Sequence, residues 1–248
     1  MTAALFLIDA GRLDGVTDGA PLVLDGPEGR HAATVKRIEP GETVLVADGS
    51  GTVAQCTVAA AYKDRLDLVV VSTEQQTPQL PRVILVQALA KGDRDDQAIE
   101  AATELGVDEV VPWQAERSIV QWKGERGAKA ARKWELVVRA AAKQSRRATV
   151  PVVGPLLDRR GLAGLANGRT VFVLHEDATT ALADVDLAGV EELAIVVGPE
   201  GGISPAELSV LEDAGARIVR LGPHVLRSSS AGPAALAVVM SGTRWAHH

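Results

Sequence analysis

Cysteine is nearly absent from this chain. Cys56 stands alone in 248 residues, which excludes an internal disulfide framework and any all-cysteine metal site. That usage agrees with a cytoplasmic location. Aromatics are also scarce: two Phe, one Tyr and four Trp leave little for a broad platform on which nucleobases stack. No run approaches the roughly 18 consecutive apolar residues of a membrane-crossing helix, so no membrane association is expected. The opening MTAALFLIDAGRLDG lacks a basic start and soon meets Asp9 and Arg12, so it reads as a first strand and not a signal peptide. Enzyme signatures are missing too. His31, His175, His224, His247 and His248 form no HExxH and no zinc-like spacing, so no metal is expected. Neither GxGxxG nor a phosphate-binding loop is present, and Ser204 lacks the GxSxG elbow.

Hydrophobic residues make up 46% of the chain, mostly Val, Ala and Leu, as suits an α/β protein of one large or two modest domains. The first seventy or so residues are strand-like. AALFLI, APLVL, ETVLVADGSG, TVAQCTVAAAY and RLDLVVVS are short β-prone runs, with a tight turn expected at Ala47–Gly51. Strands at this spacing suggest a small barrel. RHAATVKR interrupts them as a short helix. Ser72–Pro81 is polar and proline-bearing, the best domain boundary. Beyond it strands alternate with helices: RVILVQAL is continuous and apolar, DRDDQAIEAATELG is helical with Gly106 as terminator, and a longer helix is expected over Lys129–Arg146, burying Trp134, Val137, Val138 and Ala141. That alternation predicts a mostly parallel sheet.

Net charge is −6, but it is unevenly spread. From Arg117 to Arg147, ten Lys and Arg oppose only Glu125 and Glu135, a local balance of +8 that leaves −14 elsewhere. The segment is either a footprint for a polyanion or a solvated helix face.

Ligands of an open parallel sheet bind beyond the carboxyl ends of its strands. Three such ends stand out: Leu174–Glu176, Gly198–Gly202 and Leu221–Ser230. Ser204-Pro205-Ala206-Glu207 is a capping box with proline at the first helical position, and needs no ligand to explain it. Gly198, Gly201 and Gly202 remain, either a wall against which something approaches or a turn with positive φ. Arg227 is suited to a phosphate or carboxylate, or to an ion pair, and Ser229 or Ser230 to a helix cap. Cys56 reads as a buried, inert thiol.

KGDRDDQAIEAATELGV (Lys91–Val107), ERS (Glu116–Ser118), QSRR (Gln144–Arg147), GPEGG (Gly198–Gly202) and LGPHVLR (Leu221–Arg227) occur in the order found in the bacterial ribosomal RNA small subunit methyltransferase E family. RHAATVKRIEPGETVLVADGSG also resembles that family's N-terminal unit. The resemblance spans essentially the whole chain. It implies a PUA-like RNA-binding β-barrel over residues 1–74 and, over 78–248, a SPOUT-class α/β domain with a deep trefoil knot. It also implies a cytoplasmic homodimer paired through the knotted domains, with S-adenosylmethionine as donor. The implied reaction is methylation of N3 of a uridine, position 1498, in 16S ribosomal RNA of the small subunit. Carried over by position, Leu174 and His175 edge the donor pocket, and Gly198, Pro199, Glu200, Gly201 and Gly202 form its wall. Leu221, Gly222, Val225, Leu226, Arg227 and Ser228 enclose the adenosine and methionine parts. The chain departs from the family at His224, which stands for an arginine, at Ser229, which stands for a glutamate, and at Lys143, where glutamate is frequent.

A direct methyl displacement demands alignment of nucleophile, methyl and sulfur, and loss of the uracil N3 proton. With Ser229 in place of a carboxylate, Glu200 is the expected base or loop-orienting group, and Arg227 the expected cation for charge on the flanking carbonyl oxygens. Lys36, Arg37, Arg117, Arg146 and Arg147 are the expected phosphate contacts. Alternatives are a ribose 2′-O acceptor in another RNA, a non-catalytic RNA-binding member of the fold, and, more distantly, a metabolic enzyme on the same scaffold.

Overall fold

The computed structural model describes residues 3–246, so the His247–His248 pair lies outside the described residues. Two compact units result: Met1–Pro78 together with Ala142–Val150, and Gln79–Ala141 together with Pro151–His248.

The first unit contains β1 (Ala4–Leu7), β2 (Pro21–Leu24), the short helix α1 (Gly26–Arg30) continuing as a wider helical turn over His31–Val35, β3 (Thr43–Ala47), β4 (Thr52–Ala61) and β5 (Leu66–Gln75). Its sheet order is β1-β3-β4-β5-β2, antiparallel except for the β1–β3 pair. Strand alternation turns Leu22, Leu24, Val44, Val46, Leu66 and Leu68 into one core with Phe6 and Cys56. Burial pushes the Cys56 thiol up to about 11, which leaves it an inert core group. The expected turn between β3 and β4 is present. Asp48 accepts from the Ser50 backbone at 2.9 Å and the Ser50 hydroxyl at 2.8 Å, while Gly49 and Gly51 take φ of 77° and 108°.

Ala142–Val150, placed by sequence in the second domain, belongs to this first unit. Ala142 and Ala148 pack with Leu5, Leu7 and Ala47, and the Val150 amide donates to the Gly49 carbonyl at 2.9 Å. These small apolar residues sit inside a basic stretch, which hides their packing partners from a linear reading.

The second unit holds β6 (Arg82–Ala88), α2 (Arg94–Leu105), β7 (Glu109–Trp113), α3 (Gly124–Gln144, whose last three residues count with the first unit), β8 (Val152–Val153), α4 (Arg159–Leu162), β9 (Thr170–Leu174), β10 (Glu192–Val197), α5 (Pro205–Asp213), β11 (Arg217–Val219) and α6 (Ser228–Ser241). All six strands are parallel, in the order β11-β9-β10-β6-β7-β8. Central β6 is buried from Val83 to Ala88 and apolar apart from Arg82 at its start and Gln87 near its end, as befits a strand covered on both faces. Helix α2 ends at Gly106 in the left-handed conformation, as its sequence predicts. Helix α3 begins five residues earlier than expected; Trp134, Val138 and Ala141 are buried, whereas Val137 is only half-buried. Helix α6 packs along α2, with the Met240 methyl close to Gly106. No helix among the described residues is long and apolar enough to cross a membrane.

Candidate functional site

From β8 at one edge the chain crosses to β9, returns to place β10 beside β6, then leaves for β11 at the far edge. The ends of β9, β10 and β11 are therefore neighbours, and the three loops singled out in the sequence converge. They enclose a cleft of about 820 Å³, within the size range of small-molecule sites. Leu174, His175, Gly198, Pro199, Glu200, Gly201, Gly202, Leu221, Gly222, Val225, Leu226, Arg227 and Ser228 all line it, joined by Arg94, Arg117, Arg220 and His224.

The glycines of the β10 loop have separate causes. A Cβ on Gly198 would lie 2.7 Å from Ile203, one on Gly201 would lie 3.1 Å from the Arg117 Cβ, and Gly202 has φ of 73°. Two of the three thus make room for protein rather than directly for a ligand. The capping box is present: Ser204 Oγ accepts from the Glu207 amide at 3.2 Å, and Glu207 Oε2 accepts from the Ser204 amide at 3.1 Å. It does more than cap. Glu207 is fully buried, and its Oε1 accepts from the Glu116 backbone at 2.8 Å. The Ser204 hydroxyl in turn, followed by Arg159 and Arg117, holds the Glu116 carboxyl below its ordinary value. The start of α5 is thereby clasped to the ERS loop, which lies against GPEGG.

Glu200 carries an ion pair at 2.7 Å with Arg94. Burial raises its pKa, but hydrogen bonds from its own backbone N–H, Arg94 and the Lys91 N–H outweigh this and hold the carboxyl below the usual range. Such a carboxylate is a weak base and a good strut. Arg117 donates to the Gly201 carbonyl at 3.0 Å and belongs to this cleft. Lys36, Arg37, Arg146 and Arg147 lie in the first unit, so the expected basic footprint is divided between the two units. Arg227 is exposed on the cleft and its guanidinium has no partner among the described residues. It also occupies the N-cap position of α6, so Ser229 and Ser230 fall inside the first turn and do not cap it. Ser229 does not line the cleft. The Ser228 hydroxyl, buried at the cleft wall, has no hydrogen-bond partner among the described residues.

Sequence reasoning missed Arg94 and Arg220 on the cleft wall, although Arg94 stands within the KGDRDDQ string. It also missed Gln87, fully buried at the end of β6 with Oε1 unpartnered. A lone glutamine in an apolar strand was the available signal. In the first unit a smaller hollow of about 370 Å³ opens between Gly26, Pro27, Arg30, His31, Thr34 and Val35, just ahead of Lys36 and Arg37.

An RNA methyltransferase domain model matches residues 77–240, and an RNA methyltransferase PUA domain model matches residues 24–71. The ribosomal RNA small subunit methyltransferase E of Mycobacterium tuberculosis is 47% identical over 252 residues, covering 99% of this chain and 94% of that protein. The chain belongs to the ribosomal RNA small subunit methyltransferase E family. The Bacillus subtilis family member is 29% identical, over 87% of this chain and 88% of its own length. Among solved structures, the family member from Neisseria gonorrhoeae bound to S-adenosyl methionine superposes with a TM-score of 0.85 at 27% identity, covering 97% of each chain. A Legionella pneumophila methyltransferase in complex with the bound cofactor gives a TM-score of 0.85 at 25% identity, covering 97% of this chain and 98% of that one. The architecture of the ribosomal RNA small subunit methyltransferase E family, a PUA-like domain followed by a SPOUT methyltransferase domain, is the one described above.

Proposed function

We propose that this protein methylates N3 of one uridine, position 1498, in 16S ribosomal RNA of the small subunit, with S-adenosylmethionine as donor. One observation carries the reading. Every residue that the family resemblance assigns to the donor pocket lines a single cleft, at the edge where a parallel sheet binds ligands. The cleft also fits the donor chemically. The buried Ser228 hydroxyl lacks a partner, Val225 and Leu226 are 75% and 41% exposed for an apolar body, and Arg227 offers a free cation. The Leu221–Arg227 loop, part of the implied trefoil knot, and the GPEGG wall would hold the donor between them.

When bound, S-adenosylmethionine supplies an electrophilic methyl group on a sulfonium. The chain's own groups orient the uracil and manage its charge. Arg227 and Arg117 stabilise the negative charge that grows on the uracil carbonyl oxygens as the N3 proton passes to water. Glu200, tied to Arg94 and Lys91, fixes the loop instead of taking that proton. The basic residues of the first unit hold RNA phosphates, which gives affinity and leaves base choice to the cleft. Exposed Ile119 (75%) and Leu136 (68%) support a homodimer formed through the second unit. Sedimentation at micromolar concentration checks that assembly.

The decisive experiment incubates purified protein and labelled donor with small ribosomal subunits from a strain lacking the gene, followed by mass mapping of the RNA. One N3-methyluridine is expected. A methyl group on a ribose oxygen, or none, would sink the assignment.

A further inference from the structure

Among the described residues only two non-glycine residues have positive φ, and both are arginines: Arg37 at 53° and Arg146 at 57°. They occupy equivalent places. Arg37 follows the helical turn begun at α1, where the Lys36 amide donates to the His31 carbonyl at 2.9 Å and the Ile38 amide to Ala32 at 3.1 Å. Arg146 follows α3, with its own amide bonded to Lys143 at 3.2 Å and the Arg147 amide to Ala142 at 2.8 Å. This is the left-handed position after a helix, where glycine is favoured because a Cβ crowds the following carbonyl. The sequence keeps a Cβ at both positions. Neither arginine recovers that cost inside the fold, since both are exposed and neither side chain has a hydrogen bond or ion pair among the described residues.

The two helix ends are also held together within the first unit. Lys143, three residues before Arg146, pairs with Glu28 of α1 at 2.8 Å and stands 5.7 Å over the Phe6 ring. Phe6 meets His31 edge-on, at 6.4 Å between centroids. This contact registers the segment ending at Arg37 against the one ending at Arg146, and Lys36 and Arg147 flank them with further positive charge. Backbone strain retained by residues with no internal partner points to an external one.

We propose that Arg37 and Arg146 form a paired phosphate grip for the RNA strand, presented by two left-handed helix ends and set in register by the Lys143–Glu28 pair. Guanidinium groups bind phosphate oxygens through two parallel hydrogen bonds, so the ligand class is a sugar–phosphate backbone read without base identity. This rests on the RNA-modifying function proposed above.

The test exploits an opposition of signs. The double variant Arg37→Gly/Arg146→Gly relieves the strain, and each site is expected to raise the unfolding midpoint by roughly 2–4 °C. The same variant is expected to raise KM for unmethylated small ribosomal subunits about tenfold. The slope of log KM against log salt should flatten by about 0.7 per lost contact. Arg37→Lys/Arg146→Lys should recover part of the binding without the gain in midpoint. A glycine variant that becomes more stable while KM and its salt slope stay at wild-type values overturns the grip and leaves two ordinary helix ends. Wild-type protein that neither binds nor methylates the subunits fails the underlying reading instead, and the grip falls with it.

Discussion

At Gly201 a single added carbon crowds the ERS loop against the cleft wall. Its Cβ would sit 3.1 Å from the Arg117 Cβ, an atom fixed to the backbone that cannot swing aside as a flexible side-chain tip does, with the Arg117 carbonyl in ordinary contact at 3.4 Å. Gly201→Val is therefore expected to push the ERS loop off the GPEGG wall. Calorimetric titration should show S-adenosylmethionine affinity falling at least about tenfold, roughly 1.4 kcal/mol, with Gly201→Ala falling less. Unchanged affinity in the valine variant would remove this loop from the donor site. Glu200 offers the complementary case. Its carboxyl is held below the usual range, so it is ionised throughout the working pH range and cannot supply an ionisation near neutrality. Glu200→Gln is accordingly expected to lower turnover through a loosened Lys91–Arg94 segment while the pH–rate profile keeps its shape. Loss of the acidic limb, along which the rate rises as a general base deprotonates, would instead restore Glu200 as the proton acceptor.

At the scale of elements, most of the alternation was legible because each signal is local. Continuous apolar runs mark strands covered on both faces, Gly106 marks the end of α2, and Ser204 to Glu207 mark the start of α5. What was not legible depends on partners distant in sequence. The two-residue β8 has too little pattern to detect. Nothing in the charge run 117–147 indicates that Arg117 meets Gly201 in the second unit while Ala142–Val150 joins the first. The second oxygen of Glu207 was equally hidden, since a capping box accounts for only one of its roles. Helix α2 carries a further feature of this kind. Asp95, buried beneath the first turn, has its pKa raised to about 6 by burial and then by Asp96, against opposing bonds from the Asp96, Asp95 and Ala90 amides. An unfolded aspartate titrates near ~3.9, so native Asp95 binds its proton more tightly. Its contribution to stability is fully present below the unfolded value and is lost as pH rises through about 6, at a total cost of about 3 kcal/mol. Asp95→Asn should thus gain on the wild type between pH 5 and pH 8, by about 1 kcal/mol in urea unfolding. A constant difference across that range would mean that the buried carboxyl is not what titrates.

At the scale of the molecule, the second unit is closed by a residue that no local pattern announces. Arg244, beyond the end of α6, has a side chain only 6% exposed. Its guanidinium donates to the Gly106 carbonyl at 3.0 Å, to the Gln79 carbonyl at 3.0 Å, to the Pro81 carbonyl, and to the Asp108 carboxylate. Gln79 and Pro81 begin the unit, Gly106 and Asp108 join α2 to β7, and Arg244 nearly ends the described chain. One planar cation thus ties together the start, the middle and the end of the chain segments that form this unit. Lysine has a point charge and three donors, so it cannot span carbonyls from three directions and a carboxylate at once. Truncation leaves the partly buried Asp108 and those carbonyls poorly satisfied, a loss on the order of 3 kcal/mol, the lower end of the range for a buried pair. The contact lies at the α6 C-terminus, away from the Leu221–Arg227 loop that lines the cleft at the helix's other end. Arg244→Ala should therefore lower the unfolding midpoint of the second unit by roughly 6 °C or more, and Arg244→Lys should recover only a minor share. Donor affinity of the folded fraction, measured by titration at low temperature, should remain near wild type. A variant that keeps its midpoint but loses donor affinity would show that α6 is held by its packing on α2, and that Arg244 acts on the cleft rather than on the fold.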